Sequence, residues 1–309
     1  MKHFYLNLIA VLFLFSAVSC SSQNTSIPGE PSTAIHYDSG LEFDGSLVIV
    51  GGAMRDSTIF NRFLELAGGS DAPIIVVPTA WTDTVTSEML DAAKQGYENR
   101  GAKNITVLHT KDRNVADSDG FIEPINRAKG VWFTGGRQWR IADSYLGTKT
   151  QKAFESLLQR GGVVGGSSAG ATIQGSYLAR GDTKTNTIMM GDHEEGFGFL
   201  KNVAIDQHLL KRNRQFDLIE IVSARPELLG IGIDENTAIV VQGNEFEVIG
   251  QSYVAIYDAN LWNNPNDTIN TGIRNGGKYF LLSSGDRYNL KTREVVYWRG
   301  DGRDLPLKN

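Results

Sequence analysis

A serine framed by glycines, Gly166-Ser167-Ser168-Ala169-Gly170, follows the β-branched pair Val163-Val164 and precedes a run of helical period. Gly-x-Ser-x-Gly after a strand suits a strand-to-helix elbow, in which small neighbours let the backbone crowd together and the serine hydroxyl stands exposed at the helix start. Ser168 is therefore the candidate nucleophile. A glycine-rich turn also serves as an anion cradle. Here a Walker loop is excluded because no Gly-Lys-Ser/Thr follows, and the dinucleotide fingerprint lacks its third glycine and downstream acid.

A hydroxyl nucleophile needs a base. Of five histidines, His3 and His36 lie outside the segment of alternating elements described below, leaving His109, His193 and His208. His208 follows Val203-Ala-Ile-Asp-Gln207 where a strand gives way, and residues just past strand ends line the crevice of an open α/β sheet. The base in turn needs a carboxylate to hold its tautomer. Asp234-Glu235 ends the strand-like Leu229-Gly-Ile-Gly-Ile233; adjacent residues point apart, so one of the two faces the site. Upstream, Val131-Trp-Phe-Thr-Gly135-Gly136 runs from a buried strand into a glycine pair. Such a turn presents N–H groups to a tetrahedral oxyanion, which makes the amides of Gly136 and Ala169 the candidate pair of donors.

The elements that must position these residues are legible as an alternation. Short apolar runs at 47–50, 74–77, 105–108, 131–133 and 163–164 are separated by helical stripes such as Phe60, Phe63, Leu64, Ala67 and Phe154, Leu157, Leu158. Continuous apolar strands joined by amphipathic helices predict a mostly parallel α/β sheet covered on both faces. After Asp206 the pattern becomes a helix over Leu209–Val222 and then closely spaced strands at 231–233, 238–241, 246–249 and 253–257, a mixed or antiparallel addition. The Asn- and Gly-rich stretch 263–277 reads as a surface loop, residues 41–303 as one domain and 304–309 as a tail.

The chain of 309 residues carries 30 basic and 35 acidic residues without a basic face, so no nucleic-acid partner is expected. Its single cysteine, Cys20, rules out an intramolecular disulfide and a cysteine-based zinc site. That cysteine closes the segment Ala17-Val18-Ser19-Cys20 behind an apolar run from Leu6 to Val18, too short to span a bilayer comfortably. The segment resembles a bacterial lipobox with alanine in the usual leucine place. It implies a signal peptide over 1–19, lipidation of Cys20, and a location in the bacterial cell envelope with the membrane as partner through the lipid alone. Residues 20–40, rich in Ser, Pro, Gly and Thr, form a tether of about 25 Å root-mean-square reach.

Four ordered motifs, Phe133-Thr-Gly-Gly-x-Gln138, Gly165-Gly-x-Ser-Ala-Gly-Ala171, Asp206-Gln-His208 with Arg212 and Arg214 behind it, and Gly230-Ile-Gly-Ile-Asp-Glu235-x-Thr-Ala238, together resemble the cyanophycinase and aspartyl dipeptidase family of serine peptidases. The resemblance implies a class I glutamine-amidotransferase-like, flavodoxin-like fold. It also implies a hydrolase of peptide or isopeptide bonds, of aspartyl type, in which Ser168 attacks, His208 is base and then acid, and Glu235 orients it. Gln138, Asp206, Gln207, Arg212 and Arg214 would line the substrate pocket, with no cofactor or metal required; a homodimer is left open. The chain departs from the family at Arg137, where an acid or its amide is usual, and at Gln215-Phe-Asp217, where a further arginine is missing. Arg137, Arg140, Arg212 and Arg214 thus concentrate guanidinium groups around Ser168, which favours substrates bearing a carboxylate over a β-aspartyl-arginine polymer. Two other readings compete: a catalytically silent lipoprotein binding a ligand in the same crevice, and an esterase. The order Ser, His, acid disfavours the esterase, because α/β-hydrolases run Ser, acid, His.

Overall fold

The computed structural model describes residues 38–259 and 279–300. The leader, Cys20, most of the tether, the 263–277 loop and the tail lie outside the described residues. The chain alternates as its apolar pattern dictates. It runs through β1 (Gly40–Leu41), β2 (Ser46–Val50), α1 (Ser57–Ala67), β3 (Pro73–Val77), α2 (Ser87–Glu98) and β4 (Asn104–Val107). There follow α3 (Arg113–Ala116), α4 (Asp119–Arg127), β5 (Gly130–Phe133), α5 (Gln138–Tyr145), α6 (Lys149–Gln159), β6 (Val163–Ser167) and α7 (Ala169–Thr172). The C-terminal part holds β7 (Gly175–Tyr177), β8 (Leu200–Gln207), α8 (Asp217–Ala224), β9 (Leu229–Ile233), β10 (Thr237–Gln242), β11 (Glu245–Gly250) and β12 (Val254–Tyr257). Last come β13 (Tyr279–Leu282), β14 (Arg287–Asn289) and β15 (Glu294–Tyr297).

Strands β2, β6, β5, β3 and β4 lie side by side and parallel. Counted from β3 they follow the 2-1-3-4-5 flavodoxin-like order, with β2 in fifth place. The expected class I glutamine-amidotransferase-like α/β fold is the fold observed. Both faces of β2 are buried, because Leu47 and Ile49 join the core with Ile141, Phe154 and Leu157 while Val48 and Val50 join the one with Phe60, Phe63 and Trp132. Full burial on both faces is why these strands are continuously apolar. The antiparallel strands β10, β11, β14 and β15 extend the same sheet beyond β2.

Two features depart from the sequence expectation. Strands β8, β9 and β12 belong to a second sheet, ordered β1-β8-β9-β12-β13 with β7 beside β8. One face of it, through Val203, Ile205, Ile231, Ile233 and Ile256, shares the core of Leu47 and Ile49; the other, through Ala204, Ala255 and Tyr257, packs on Leu218, Ile221 and Val222 of α8. Secondly, the helix expected over Leu209–Val222 is confined to α8, and residues 209–213 are turns. The cause is local. His208 and Asn213 hold left-handed backbone at φ 56° and 53°, and Arg214 donates to the Gln207 carbonyl at 3.0 Å, folding the chain back on itself.

Candidate active site

Ser168 stands between β6 and α7 at φ 56° and ψ −110°, a backbone conformation unusual for a residue with a side chain. Sterics account for the flanking glycines. A Cβ at Gly166 would lie 2.2 Å from the Gly170 carbonyl oxygen, and one at Gly170 would lie 2.3 Å from that of Phe133. The elbow is thus packed tightly enough to hold the strain, which is the condition for a conformation costing about 1–3 kcal/mol to persist.

The end of β2 carries the partner residues. The Val50 carbonyl accepts the Ser168 N–H at 3.0 Å, and the next one, Gly51, accepts the His208 N–H at 2.8 Å. Serine and imidazole are therefore set against one strand end, although forty residues separate them in sequence. Ser168 Oγ lies 3.0 Å from His208 Nε2, and His208 Nδ1 lies 2.7 Å from Glu235 Oε1. Gly52 makes room for the ring, since a Cβ there would come within 2.3 Å of His208 Cε1.

Asp234 turns the other way. Its Oδ1 accepts the N–H groups of Leu210 and Lys211 at 3.0 and 2.9 Å, and its Oδ2 accepts the Ser252 hydroxyl at 2.6 Å. It fastens the turn that follows His208 and leaves the imidazole to Glu235. Burial lowers the proton affinity of His208 below the ordinary imidazole value; Glu235 opposes this, and the charges of Arg212 and Arg214 add to it. A buried neutral imidazole in hydrogen-bond reach of a hydroxyl has the form a general base requires.

The Gly135-Gly136 turn lies beside the serine, with a Cβ at Gly135 placed 3.3 Å from Ser168 Cβ. The N–H groups of Gly136 and Ala169 have no acceptor among the described residues. Gly136, at φ 140°, approaches so closely that a Cβ would lie 2.1 Å from the Ala80 carbonyl oxygen.

The expected pocket residues come together, but largely with one another. Gln138 is buried and donates to the carbonyls of Ala179 and Arg180 at 2.8 and 2.9 Å, which makes it a fastening of that loop. Gln207 accepts from Arg214 at 2.8 Å, and the fully buried Asp206 pairs with Arg180 through Nε at 2.8 Å and Nη2 at 3.1 Å. The guanidinium concentration read from the sequence is dispersed. Arg137 holds the carbonyls of Asp182 and Thr185 at 2.7 and 2.6 Å, and Arg140 holds those of Ala80 and Trp81 together with the Asp83 carboxylate. Arg212 alone of the four is exposed, and its guanidinium has no hydrogen-bond or ion-pair partner among the described residues, while its N–H donates to the His208 carbonyl at 3.0 Å. Arg180, Gly52 and Asn236 escaped the sequence reading. The Asn236 N–H donates to the Gly52 carbonyl at 2.8 Å, and its Oδ1 accepts from Arg55 and Asp56. The Gly51-Gly52 pair directly after a buried strand was the one available signal. His109 pairs with Thr79 and His193 with Asp143 and Asp192, so neither approaches the serine. Among the described residues no three of His, Cys, Asp and Glu gather as metal ligands, and no helix is long and apolar enough to cross a membrane.

Comparison with known proteins places these features. Residues 47–249 match the family described as Peptidase family S51. A cyanophycinase of Geminocystis herdmanii is 31% identical over 262 residues, covering 81% of this chain and 96% of that one. A cyanophycinase of Synechococcus elongatus is 30% identical over 281 residues, covering 86% and 85%. Among solved structures, a peptidase from an acI-B1 Actinobacterium superposes with TM-score 0.58 at 24% identity, over 81% of this chain and 99% of that one. A putative peptidase E of Listeria monocytogenes superposes with TM-score 0.50 at 18% identity, over 67% and 99%.

Proposed function

The chain belongs to peptidase family S51 and is a serine-type peptidase, and on that premise we propose that it cleaves an aspartyl-type peptide or isopeptide bond through a Ser168-His208-Glu235 triad and an acyl-enzyme. The observation that carries this is the unbroken series from Ser168 Oγ to His208 Nε2 at 3.0 Å and from His208 Nδ1 to Glu235 Oε1 at 2.7 Å, beside two free amide donors.

In the first step His208 takes the hydroxyl proton as Ser168 Oγ bonds to the scissile carbonyl carbon, and the negative charge on the carbonyl oxygen is met by the N–H groups of Gly136 and Ala169. Glu235 stabilises the imidazolium. His208 then gives the proton to the leaving amine as the C–N bond breaks, and a water activated by the same imidazole hydrolyses the ester. Arg212, exposed and close enough to depress the proton affinity of His208, is the cation that meets a substrate carboxylate next to the scissile bond. Cys20 would carry the lipid that tethers this domain to the cell envelope.

A fluorophosphonate probe tests the mechanism, and a library of dipeptides and isopeptides read by mass spectrometry tests the substrate. Labelling of the wild type but not of Ser168→Ala, with release of products from aspartyl or isoaspartyl members, is the expected result. A folded wild type that neither labels nor cleaves would leave the silent ligand-binding reading.

A further inference from the structure

Two carboxylates converge on one guanidinium at the end of β8, where Asp206 lies two residues before the base. Asp206 is fully buried and Asp217, at the start of α8, is about a third exposed. Their shared partner is Arg180, itself only 3% exposed. Its Nε and Nη2 meet the two oxygens of Asp206 at 2.8 and 3.1 Å, Nη2 also bonds Asp217, and Nη1 donates to the Asn186 carbonyl at 2.9 Å. All three nitrogens of the fork are engaged, through four of its five N–H donors.

The backbone that delivers it is over-determined. Arg180 lies at φ 56°, its N–H donates to the Met189 carbonyl at 2.9 Å, and its own carbonyl accepts the buried Gln138 amide at 2.9 Å. A residue with a side chain is held in left-handed conformation only where the surroundings enforce it, and here the enforcement aims one guanidinium at two carboxylates. Arg214 lies 3.8 Å from Asp206, so the two acids face two guanidinium groups and the cluster is electrically balanced.

We propose that Arg180 is a specificity-determining residue, a resident guanidinium that occupies the carboxylates of Asp206 and Asp217 and so excludes a substrate side chain bearing a guanidinium group. The inference rests on the hydrolytic reading above and deepens it. With the acids neutralised from within, the charge left facing a substrate is that of Arg212, and the site selects anionic over cationic side chains. Removing the Arg180 side chain leaves a vacancy of guanidinium shape between two carboxylates that keep one cation, Arg214 at 3.8 Å from Asp206, and an anionic vacancy of that shape binds such a group.

The test uses the full chain with Arg180→Ala and, because a buried unpaired acid is destabilising, a second variant, Arg180→Ala with Asp217→Asn. The probe is methylguanidinium chloride at millimolar concentration. It should raise the melting temperature of either folded variant saturably, or restore folding where it is lost, and leave the wild type unmoved. The ratio of kcat/KM for isoaspartyl-arginine over isoaspartyl-leucine should rise by at least about tenfold in the folded variant. A ratio within about twofold of wild type, or variants that stay unfolded or unresponsive with the ion present, would overturn the proposal. Failure of the wild type to cleave either peptide would count against the hydrolytic reading alone, because the melting experiment does not depend on turnover.

Discussion

Changing Glu235 to glutamine removes one charge and leaves the shape of the proposed triad nearly intact. In the wild type the carboxylate oxygen is 2.7 Å from His208 Nδ1, and the two side chains are 18% and 8% exposed. When His208 takes the serine proton, the charge centres are about 4 Å apart, worth about 4 kcal/mol at an effective dielectric constant near 20. Partial exposure of Glu235 trims this to about 3 kcal/mol, or about two powers of ten in kcat. Asp234→Asn should cost less than about tenfold, because the asparagine oxygen still accepts from Leu210 and Lys211 and only the charge assistance to those bonds is lost. The assay is initial-rate hydrolysis of an isoaspartyl dipeptide across pH, with circular dichroism to certify folding. Burial holds the His208 imidazole below its ordinary value and Glu235 pulls it up, so wild-type activity persists as pH falls through about 6.5 and the variant's acid limb lies lower still. The sign for stability is the same. The folded state binds fewer protons than the unfolded one between the two values, so stability rises with pH across that window and is lost as pH falls through the folded value. A Glu235→Gln variant within about fivefold of wild-type kcat, with Asp234→Asn folded and slower, would refute the assignment.

Ser168→Ala and His208→Ala should each remove nearly all turnover, and the double variant should be no slower than either, because the members of a triad act as a unit; kcat of the three proteins decides this. Gly52→Ala should lower both kcat and stability, since the residue sits at φ 131° and its Cβ would need to occupy space 2.3 Å from His208 Cε1; a wild-type rate and melting temperature would show that the ring and the turn have slack. Arg212→Met should raise KM for a carboxylate-bearing substrate and spare a neutral one, whereas equal effects on both would remove its role as a clamp. Cys20→Ser should release the protein from membranes or stall its processing, and unchanged recovery in the membrane fraction would defeat the lipobox reading.

Much of the site was written in short stretches. Gly-x-Ser-x-Gly behind Val163-Val164 locates the elbow, because strand period, turn glycines and helix start are all local properties. The alternation of apolar runs and helical stripes likewise yields the parallel sheet. The second sheet was illegible, since a strand's own pattern says that it is buried but not which strand lies beside it. The helix expected over Leu209–Val222 failed for a related reason. Its apolar period was real, but Asp234 captures the N–H groups of Leu210 and Lys211 from across the fold, and Arg214 turns back to Gln207.

The sequence by itself determined the class of chemistry, because nucleophile, base and acid are residue types and their candidates were few. What it left open was direction. Asp234 and Glu235 were equal as adjacent carboxylates, and Arg137, Arg140, Arg212 and Arg214 were equal as guanidinium groups. Only the tertiary structure separated them, through contacts between residues far apart in sequence. The Asn236 N–H bond to Gly52 sets the register of the turn after β9, and that turn sends Glu235 to the imidazole and Asp234 to the chain behind it. Backbone carbonyls of distant loops occupy Arg137 and Arg140, the nearby Gln207 holds Arg214, and Arg212 faces solvent, so the charge that greets a substrate is a property of the packed fold.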